Sequence, residues 1–363
     1  MSILLATIVF CYSVVAIDKK RGELQVEKST SSKSVVMRTT LRNANLYGTT
    51  SKYTSDENDF LKSAKKKRIN AYLLMAKNGR VVLQTGNGRA KANASWSGYS
   101  QFRVADFQKL LTIDLVLQLI RNDKVKLKDT LATLIPQLEN TNLKNVTVKD
   151  LLTDNKKIYV KSKDIQDKGY YDLLVTFKKN ITTSVSDSEN MNCNFVLLAM
   201  IVQSMSKEDY TEYAQNSLLT NSGISHASFV SDGEINEQLA IPYHRSDNGV
   251  DYSKPYPTGN YLFGINDLCM SASDMYMLID NSITKFARGS QSDIFKKSYR
   301  AVFGNTSIEN SVYSMSIKSD GYELNLIFNY MKKIGIVYNV TSRPAKYNSE
   351  NATAEFYHGI TGD

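Results

Sequence analysis

The sequence predicts an α+β fold in which an antiparallel sheet is built from both chain ends and a helical region is inserted between them. An Asn78-Gly79 dipeptide between two apolar segments indicates a β-hairpin near the start of the folded region. Apolar helical segments occupy the middle of the chain, and strand-like segments follow between residues 311 and 340. Strands that are separated from one another by a block of helices are typical of an α+β domain.

The composition is that of a globular protein. The chain has 363 residues, of which 42% are hydrophobic, and its 45 Lys and Arg against 36 Asp and Glu give a formal net charge of +9. The apolar fraction is close to the globular norm of about 45–50%, which excludes a disordered or collagen-like chain. The positive charge predicts attraction to a polyanion and leaves nucleic acid, anionic lipid and an anionic cell-wall polymer as alternatives.

Neither a metal site nor a cofactor is predicted. Cys11, Cys193 and Cys269 are odd in number and lack CxxC spacing, so we expect buried free thiols instead of a zinc site or a disulfide framework. His226 and His244 have no acidic or Cys partner at the spacing of metal ligands, and we interpret them as structural histidines.

Residues 1–18 are interpreted as a signal peptide or signal-anchor. Their apolar run, residues 2–17, is uncharged but shorter than the span of about 20 residues that crosses a bilayer comfortably. We therefore expect membrane attachment or export, with the folded region secreted or at the extracellular face of the cell membrane. Lys19, Lys20 and Arg21 oppose this orientation, because the positive-inside rule keeps such a cluster in the cytoplasm.

Residues 19–68 are predicted to be a flexible polar spacer, because Ser, Thr, Lys and Asn dominate and apolar residues are scattered. The run from Lys65 to Arg68 is interpreted as a solvated basic face that could also touch anionic lipid or wall polymer. The folded domain is then expected to cover residues 69–363.

Within that domain the hairpin strands are predicted at residues 71–77 and 80–85. A central helix is expected from Asp106 to Arg121, because apolar residues cover most of its circumference. Two further helices are expected at residues 194–204 and 273–280, and Asp274 is expected to help cap the second. Strands are expected at residues 311–317, 322–330 and 333–340.

Six segments of the chain match the motifs of one family in order and in spacing. They are GNGRA (86–90), VADFQKLLT (104–112), NDKVKLKDTLATLIPQL (122–138), VTVKDLLT (146–153), NFVLLAMIVQSMSKEDYTEY (194–213) and LFGINDLCMSASDMYMLI (262–279). Together they resemble the serine β-lactamase-related family, which includes penicillin-binding proteins, D-alanyl carboxypeptidases, esterases and class C β-lactamases. The resemblance covers roughly residues 70–363 and implies a β-lactamase/transpeptidase-like fold.

The resemblance implies a Ser nucleophile at the start of the central helix and a Lys three residues later on the same face. Aligning Lys109 with the family Lys puts Asp106 at the nucleophile position. A carboxylate that attacks an ester or amide forms a mixed anhydride, which is higher in energy than a Ser ester, and a nearby carboxylate favours the charged form of Lys109. Asp106 by itself is a good N-cap residue, and we interpret it first as a cap that pairs with Lys109.

The family's second element, a Tyr or Ser followed two residues later by Asn, corresponds to Asn190 and Asn192. Asn192 keeps the amide that positions substrate in the family. Asn190 cannot act as a general base, because an amide does not titrate near neutral pH.

The third element of the family is a Lys or His followed two residues later by Gly, on an edge strand beside the nucleophile. It is sought at residues 357–362, either with His358 as the basic residue followed by Gly359, or with Thr361 and Gly362. Family members continue with further strands and a closing helix after this element. We therefore expect the C-terminal part of the fold to be truncated and a sheet edge to be exposed.

The resemblance and the substitutions predict a penicillin-binding-protein-like pseudoenzyme of the cell surface, which binds or acts on peptidoglycan or D-alanylated teichoic acid. The net charge of +9 suits a phosphate-rich polymer. The alternative is an active esterase or D-alanyl hydrolase in which Asp106 is a general base toward water, while Lys109 and His358 stabilise the oxyanion. A third hypothesis is a gene remnant whose product does not fold. Nucleic-acid binding is not expected, because the sequence has neither a basic helix with interleaved aromatic residues nor a zinc module.

Overall fold

The computed structural model describes residues 48–179, 181, 189–233, 236–246, 248–257 and 260–362. The signal peptide or anchor predicted at residues 1–18 lies outside these ranges. Among the helices inside them, none is both long and apolar enough to cross a membrane.

The strands of the described ranges are β1 (Gly48–Thr49), β2 (Asn70–Lys77), β3 (Arg80–Asn87), β4 (Gln101–Arg103), β5 (Tyr159–Lys161), β6 (Asn190–Asn192), β7 (Ala227–Phe229), β8 (Tyr243–Ser246), β9 (Gly249–Pro255), β10 (Leu268–Ser271), β11 (Ile308–Glu309), β12 (Val312–Ser319), β13 (Tyr322–Asn329) and β14 (Ile334–Ser342). The main sheet has seven strands in the order β1-β3-β2-β14-β13-β12-β11, and its neighbouring strands are antiparallel. Small sheets of β4-β10-β7, β5-β6 and β8-β9 accompany it.

The early hairpin and the late strands meet inside the main sheet. β2 pairs with β3 on one side and with β14 on the other. The turn between β2 and β3 is formed by Asn78 and Gly79, whose φ angles of 55° and 68° are the left-handed values that a two-residue hairpin turn needs. The predicted hairpin, the late strands and the sheet built from both ends of the domain are confirmed.

The helices are α1 (Thr54–Lys66), α2 (Gln108–Arg121), α3 (Leu131–Leu134), α4 (Val148–Leu152), α5 (Tyr170–Phe177), α6 (Asn194–Ser206), α7 (Tyr210–Ala214), α8 (Ala272–Phe286), α9 (Ser292–Phe303) and α10 (Ser349–Thr361). A 3-10 turn, Ala105–Phe107, directly precedes α2. α2 is buried on most of its circumference and packs against α6, as the prediction of a central helix requires. At the start of α8 the cap is Ser271, whose side chain accepts from the Asp274 backbone N–H, so Asp274 is not the capping residue.

Both faces of the main sheet are covered. Along β2, Tyr72 and Leu74 point into the larger core with α2, α6 and α8, whereas Leu73 and Met75 point into the smaller core with α1 and α10. This alternation follows from the two-residue period of a strand. α10 and α2 therefore lie on opposite faces of the sheet.

The predicted flexible spacer is wrong for residues 48–68. β1 pairs with β3, and α1 packs on the sheet through Phe60 and Ala64, which are buried. These two residues are four positions apart and form a narrow apolar stripe on an otherwise polar helix. The prediction failed because polar residues dominate the composition of this segment and two apolar residues do not stand out in it. With β1 and α1 included, the folded domain begins before residue 69.

The structure also corrects the expectation of a truncated C-terminal part. β13 and β14 follow β12, and α10 closes over the sheet with Tyr357 and Ile360 in the smaller core. The strands and the helix that were expected to be missing thus precede residue 362. The expectation failed because residues 357–362, assigned to the third element, are part of this closing helix and its end.

Candidate functional site

Asp106, the residue predicted at the family's nucleophile position, lies in the 3-10 turn Ala105–Phe107, which packs beside β12. Ala105 has a φ of 44°, a left-handed backbone conformation that is unfavourable for a non-glycine residue by about 1–3 kcal/mol. Such strain persists only where the surrounding structure enforces it, and it is common at functional sites. The strained residue directly precedes Asp106, which lines a cavity.

Asp106 and Lys109 form an ion pair. Lys109 Nζ lies 2.8 Å from Asp106 Oδ1, and the two side chains are 18% and 46% exposed. Neither the 3-10 turn nor α2 has a side-chain cap hydrogen bond, so the predicted pairing is confirmed and the predicted capping role of Asp106 is wrong. The reason is the extra 3-10 turn, which moves the start of the α-helix beyond Asp106.

Lys109 also contacts an aromatic ring. Its Nζ lies 5.7 Å from the ring centroid of Phe195 in α6, a position in which the ring face attracts a cation. Lys109 Nζ is therefore engaged by the Asp106 carboxylate and by the face of the Phe195 ring.

Buried polar contacts hold the start of α2 in place. Gln108 Oε1 accepts hydrogen bonds from the backbone N–H groups of Asp267 and Leu268, at 2.7 and 3.1 Å. Thr112 Oγ1 lies 2.8 Å from the hydroxyl of Tyr210, and burial raises the pKa of Tyr210 to about 12. The turn that carries Asp106 is therefore fixed against the start of β10 and against α7.

A cavity of about 300 Å³ opens beside Asp106, and we call it the Asp106 cavity. Met191, Ile265 and Phe303 contribute apolar walls, and the end of β12 contributes Lys318 and Ser319. Asp106 and Ser319 therefore bring a carboxylate and a hydroxyl to this cavity, whereas the Lys318 ammonium lies 3.6 Å from Glu350 of α10, the helix on the opposite face of the sheet.

Asn190 and Asn192 lie on β6, but the residue of this strand that lines the cavity is Met191. Asn192 Nδ2 donates to Asp154 Oδ1 at 2.8 Å, and Asn192 Oδ1 accepts from the backbone N–H of Asn194 at 3.0 Å. The Asn192 amide thus holds the start of α6. The substrate-positioning role of Asn192 and the place of Asn190 in the site stay predictions.

The third element predicted at the C-terminus is wrong. His358, Gly359 and Thr361 belong to α10, and Gly362 is its C-cap. This helix cannot be the required edge strand, and it covers the sheet face opposite to α2. The strand beside Asp106 is β12.

The sequence prediction missed Lys318 and Ser319, which end β12 and line the Asp106 cavity. A Lys followed by Ser agrees with the first two positions of the third element, while Asp320 stands where the family has Gly. The sequence signal for this pair is its place directly after the strand predicted at residues 311–317.

The chemistry of the site is that of polar side chains. In the part of the chain that the structure describes, no group of three or more His, Cys, Asp or Glu is placed to hold a metal ion. Cys193 and Cys269 are buried free thiols, as predicted, and burial raises the pKa of each to about 12. The Asp106 cavity can bind a polar or charged ligand, and its carboxylate can accept a proton from water.

This fold, with a strained turn before the central helix and a Lys one turn along it, defines a β-lactamase/transpeptidase-like protein. The sequence profile of the family named Beta-lactamase matches residues 58–354. The chain belongs to this family, and the predicted family membership is confirmed.

Proteins of similar sequence include PbpX of Bacillus subtilis (strain 168), which its name assigns to the penicillin-binding proteins. It is 28% identical over 253 residues, which cover 67% of this chain and 60% of PbpX. Protein flp of Staphylococcus aureus (strain MRSA252) is 28% identical over 204 residues, which cover 51% of this chain and 40% of that protein. The chain thus spans less than two thirds of the length of either relative.

Solved structures show the same fold. The crystal structure of FmtA from Staphylococcus aureus has a TM-score of 0.66 at 18% identity, with 87% of this chain and 91% of that chain covered. A class C β-lactamase mutant has a TM-score of 0.63 at 15% identity, with 88% and 100% covered. The predicted β-lactamase/transpeptidase-like fold is confirmed.

Proposed function

We propose that this chain is a cell-surface protein that binds a cell-wall polymer, peptidoglycan or D-alanylated teichoic acid, and that it forms no acyl-enzyme. One observation carries the proposal: Asp106 occupies the nucleophile position of the family and is paired with Lys109 at 2.8 Å.

The ion pair opposes both requirements of acyl transfer. An acyl-enzyme needs a hydroxyl or thiol nucleophile and a base that is free to take its proton. Attack by the Asp106 carboxylate would give a mixed anhydride, and Lys109 Nζ is engaged by the Asp106 carboxylate and by the ring of Phe195. Asn190 adds no base, because an amide does not accept a proton near neutral pH.

The ligand class follows from the family and from the charge of the chain. PbpX is by name a penicillin-binding protein, and penicillins resemble the D-alanyl end of peptidoglycan stems. The net charge of +9 favours a polyanion, which a phosphate-rich wall polymer supplies.

The proposal includes a location outside the cell, because these polymers lie there. Residues 1–18 would then be the signal peptide or the membrane anchor. Protease treatment of intact cells tests the location: we expect cleavage of the folded domain, and protection of the domain would contradict it.

Labelling with a fluorescent penicillin tests the absence of an acyl-enzyme. We expect no covalent band for the wild-type chain. The double variant Asp106→Ser with Asn190→Tyr restores the family's hydroxyl groups and serves as the control for an intact scaffold. A labelled wild-type band that disappears in Asp106→Ala would refute the proposal.

The exposure of Asp106 favours a second candidate, a hydrolase in which this carboxylate activates water. Its side chain is 46% exposed beside the cavity, and Lys109 Nζ, 2.8 Å from Asp106 Oδ1, supplies a cation near a developing oxyanion. Release of D-alanine from D-alanylated teichoic acid tests this candidate with wild type and Asp106→Asn. The control is Asp293→Asn, because Asp293 is 79% exposed on α9. Equal rates for wild type and Asp106→Asn would exclude the mechanism.

A further inference from the structure

A second cavity, of about 380 Å³, adjoins the Asp106 cavity. Lys318 and Ser319 line both cavities, so the second cavity borders the Asp106 cavity at the end of β12, and we call the second cavity the cleft. The second cavity lies between the β8–β9 hairpin and the ends of β13 and β14. Arg245 lines it from the hairpin, and Arg343 lines it from the residue after β14.

The charge of Arg343 is compensated inside the protein. Its Nε lies 2.8 Å from both carboxylate oxygens of Glu323, and its Nη2 lies 2.6 Å from Glu323 Oε1. Its Nη1 donates to the backbone carbonyls of Pro344 and Ala345. Arg343 and Glu323 therefore line the second cavity as an ion pair, and the charge of Arg343 is not available to a ligand.

The charges of Arg245 and Lys318 are less compensated by the protein than the charge of Arg343. The Arg245 guanidinium donates through Nη1 to the carbonyl oxygen of Arg68 at 2.6 Å, and within the described ranges no carboxylate forms an ion pair with it. Lys318 Nζ is 3.6 Å from Glu350, in a pair whose side chains are both 53% exposed, and such surface pairs are weak. Both cations are therefore available to a ligand in the cleft.

The surroundings of Arg245 favour an anion. Burial lowers the pKa of Arg245, and the like charge of Arg68 lowers it further. A bound anion would relieve this repulsion. Asp320 also lines this cavity, where its carboxylate accepts hydrogen bonds from the hydroxyl of Ser319 at 3.0 Å and from the Asn266 amide at 3.5 Å.

We propose that Arg245 and Lys318 form a subsite for a phosphate group of the wall polymer in the cleft that borders the Asp106 cavity. This inference rests on the proposed function and narrows its ligand to the phosphate-bearing polymer. A guanidinium fork and an ammonium group are the protein groups best suited to phosphate. The cleft is lined by both a guanidinium and an ammonium group, which complement the phosphodiester of such a polymer.

Peptidoglycan is the less suitable ligand. A phosphodiester polymer has an anion in every repeat, so a phosphate is always near the unit bound at Asp106. A stem peptide has no phosphodiester, so it offers Arg245 and Lys318 no phosphate group.

The test is isothermal titration of the full chain, solubilised in a neutral detergent, with two probes. The first is a synthetic glycerol phosphate oligomer that carries D-alanyl esters, and the second is a stem pentapeptide ending in D-Ala-D-Ala. The variants are Arg245→Gln and Lys318→Gln. The matched control is Arg80→Gln, because Arg80 is exposed at the other end of the main sheet, where β2 pairs with β3 and β14 near Lys77.

We expect each cleft variant to weaken binding of the phosphate oligomer by about five- to tenfold, the range of one charge-assisted contact at a partly exposed site. Arg80→Gln should bind as wild type does, and binding should weaken as salt is raised. The Lys318 side chain is half exposed, so Lys318→Gln should not unfold the domain, and weaker binding by this variant would come from the lost charge.

The other outcomes contradict the subsite in distinguishable ways. Equal affinities for Arg245→Gln, Lys318→Gln and Arg80→Gln would refute the subsite, and the proposed function would survive if Asp106→Asn still weakens binding. If Arg245→Gln weakens binding of the pentapeptide but not of the oligomer, the cleft is a peptidoglycan site. If neither probe binds the wild type, the proposed function fails together with the subsite.

Discussion

Lys285 of α8 forms a buried ion pair with Asp114 of α2, with 2.7 Å between Lys285 Nζ and Asp114 Oδ1. The Asp114 side chain is 0% exposed and that of Lys285 is 13% exposed. The hydroxyl of Ser282 donates to the other carboxylate oxygen at 2.8 Å. The pair therefore ties the helix that carries Lys109 to the helix that packs on the main sheet.

Removing one partner of this pair should destabilise the domain strongly. Lys285→Met leaves the Asp114 carboxylate buried without its cation, and we expect a loss of about 3–5 kcal/mol in the free energy of unfolding. The control is Lys297→Met, which breaks the exposed pair with Asp293 and should change that free energy by less than about 1 kcal/mol.

Urea unfolding followed by tryptophan fluorescence measures both variants. Trp96 is the single tryptophan of the chain and is buried, with its ring stacked on Phe102 at 5.6 Å between centroids. A cooperative transition is expected for the wild type, and its absence would support the hypothesis of a gene remnant that does not fold. Equal losses for the two Lys variants would contradict the buried-pair argument.

Gly335 of β14 should tolerate no side chain. An added Cβ would collide with the ring of Tyr276 in α8, and Tyr276 is itself packed against Phe328 in the core. We expect Gly335→Ala to lower the free energy of unfolding by about 1–3 kcal/mol, the usual effect of overpacking. An unchanged urea midpoint would mean that α8 does not rest on β14 as described.

Gly359→Ala should have the opposite effect. Gly359 lies inside α10, and an added Cβ there meets nothing within 4 Å. Alanine favours a helix over glycine by about 1 kcal/mol, so we expect higher stability. Polymer binding should be unchanged in the titration described above. A loss of binding at unchanged stability would restore Gly359 to the functional site.

The capping box at the start of α4 predicts a pH effect. Partial burial raises the pKa of Asp150, but hydrogen bonds from the side chain and backbone of Thr147, helped by Lys156 and Lys149, lower it below its ordinary value of 3.8 overall. A lowered native pKa stabilises the fold above the unfolded-state value, and this contribution is lost as the pH falls through the native pKa.

Asp150→Asn therefore tests the charge of the capping box. The variant keeps an oxygen that accepts from Thr147 but loses the charge, so it should be less stable than wild type at pH 7 by about 0.3–1 kcal/mol, the range for a negative charge in the first helical turn. The difference should shrink when the unfolding is measured below pH 3.8. A difference that stays constant from pH 7 to pH 3 would contradict a role for the Asp150 charge.

Local signals explain what the sequence could predict. The Asn78-Gly79 turn, the apolar helix up to Arg121 and the late strands are each specified by neighbours along the chain, and the structure has all of them. The pairing of Asp106 with Lys109 was predictable for the same reason, since residues three apart on a helical turn face each other.

Signals that need a packing partner were missed. α1 has only Phe60 and Ala64 as its buried apolar residues, and a stripe this narrow becomes a core contact only against the finished sheet. The third element was sought in a short motif around His358, although a motif has meaning only on the strand that passes the nucleophile position.

The sequence by itself determined the family and the order of the elements, and it predicts Asp106 at the family's nucleophile position, because these depend on residue types and spacing along the chain. Only the tertiary structure decided which strand borders Asp106, and that Lys318 and Arg245 line one cleft while His358 lies across the sheet. The physical reason is that β12, the β8–β9 hairpin and α10 take their places by pairing and packing with distant segments, and no local pattern encodes those contacts.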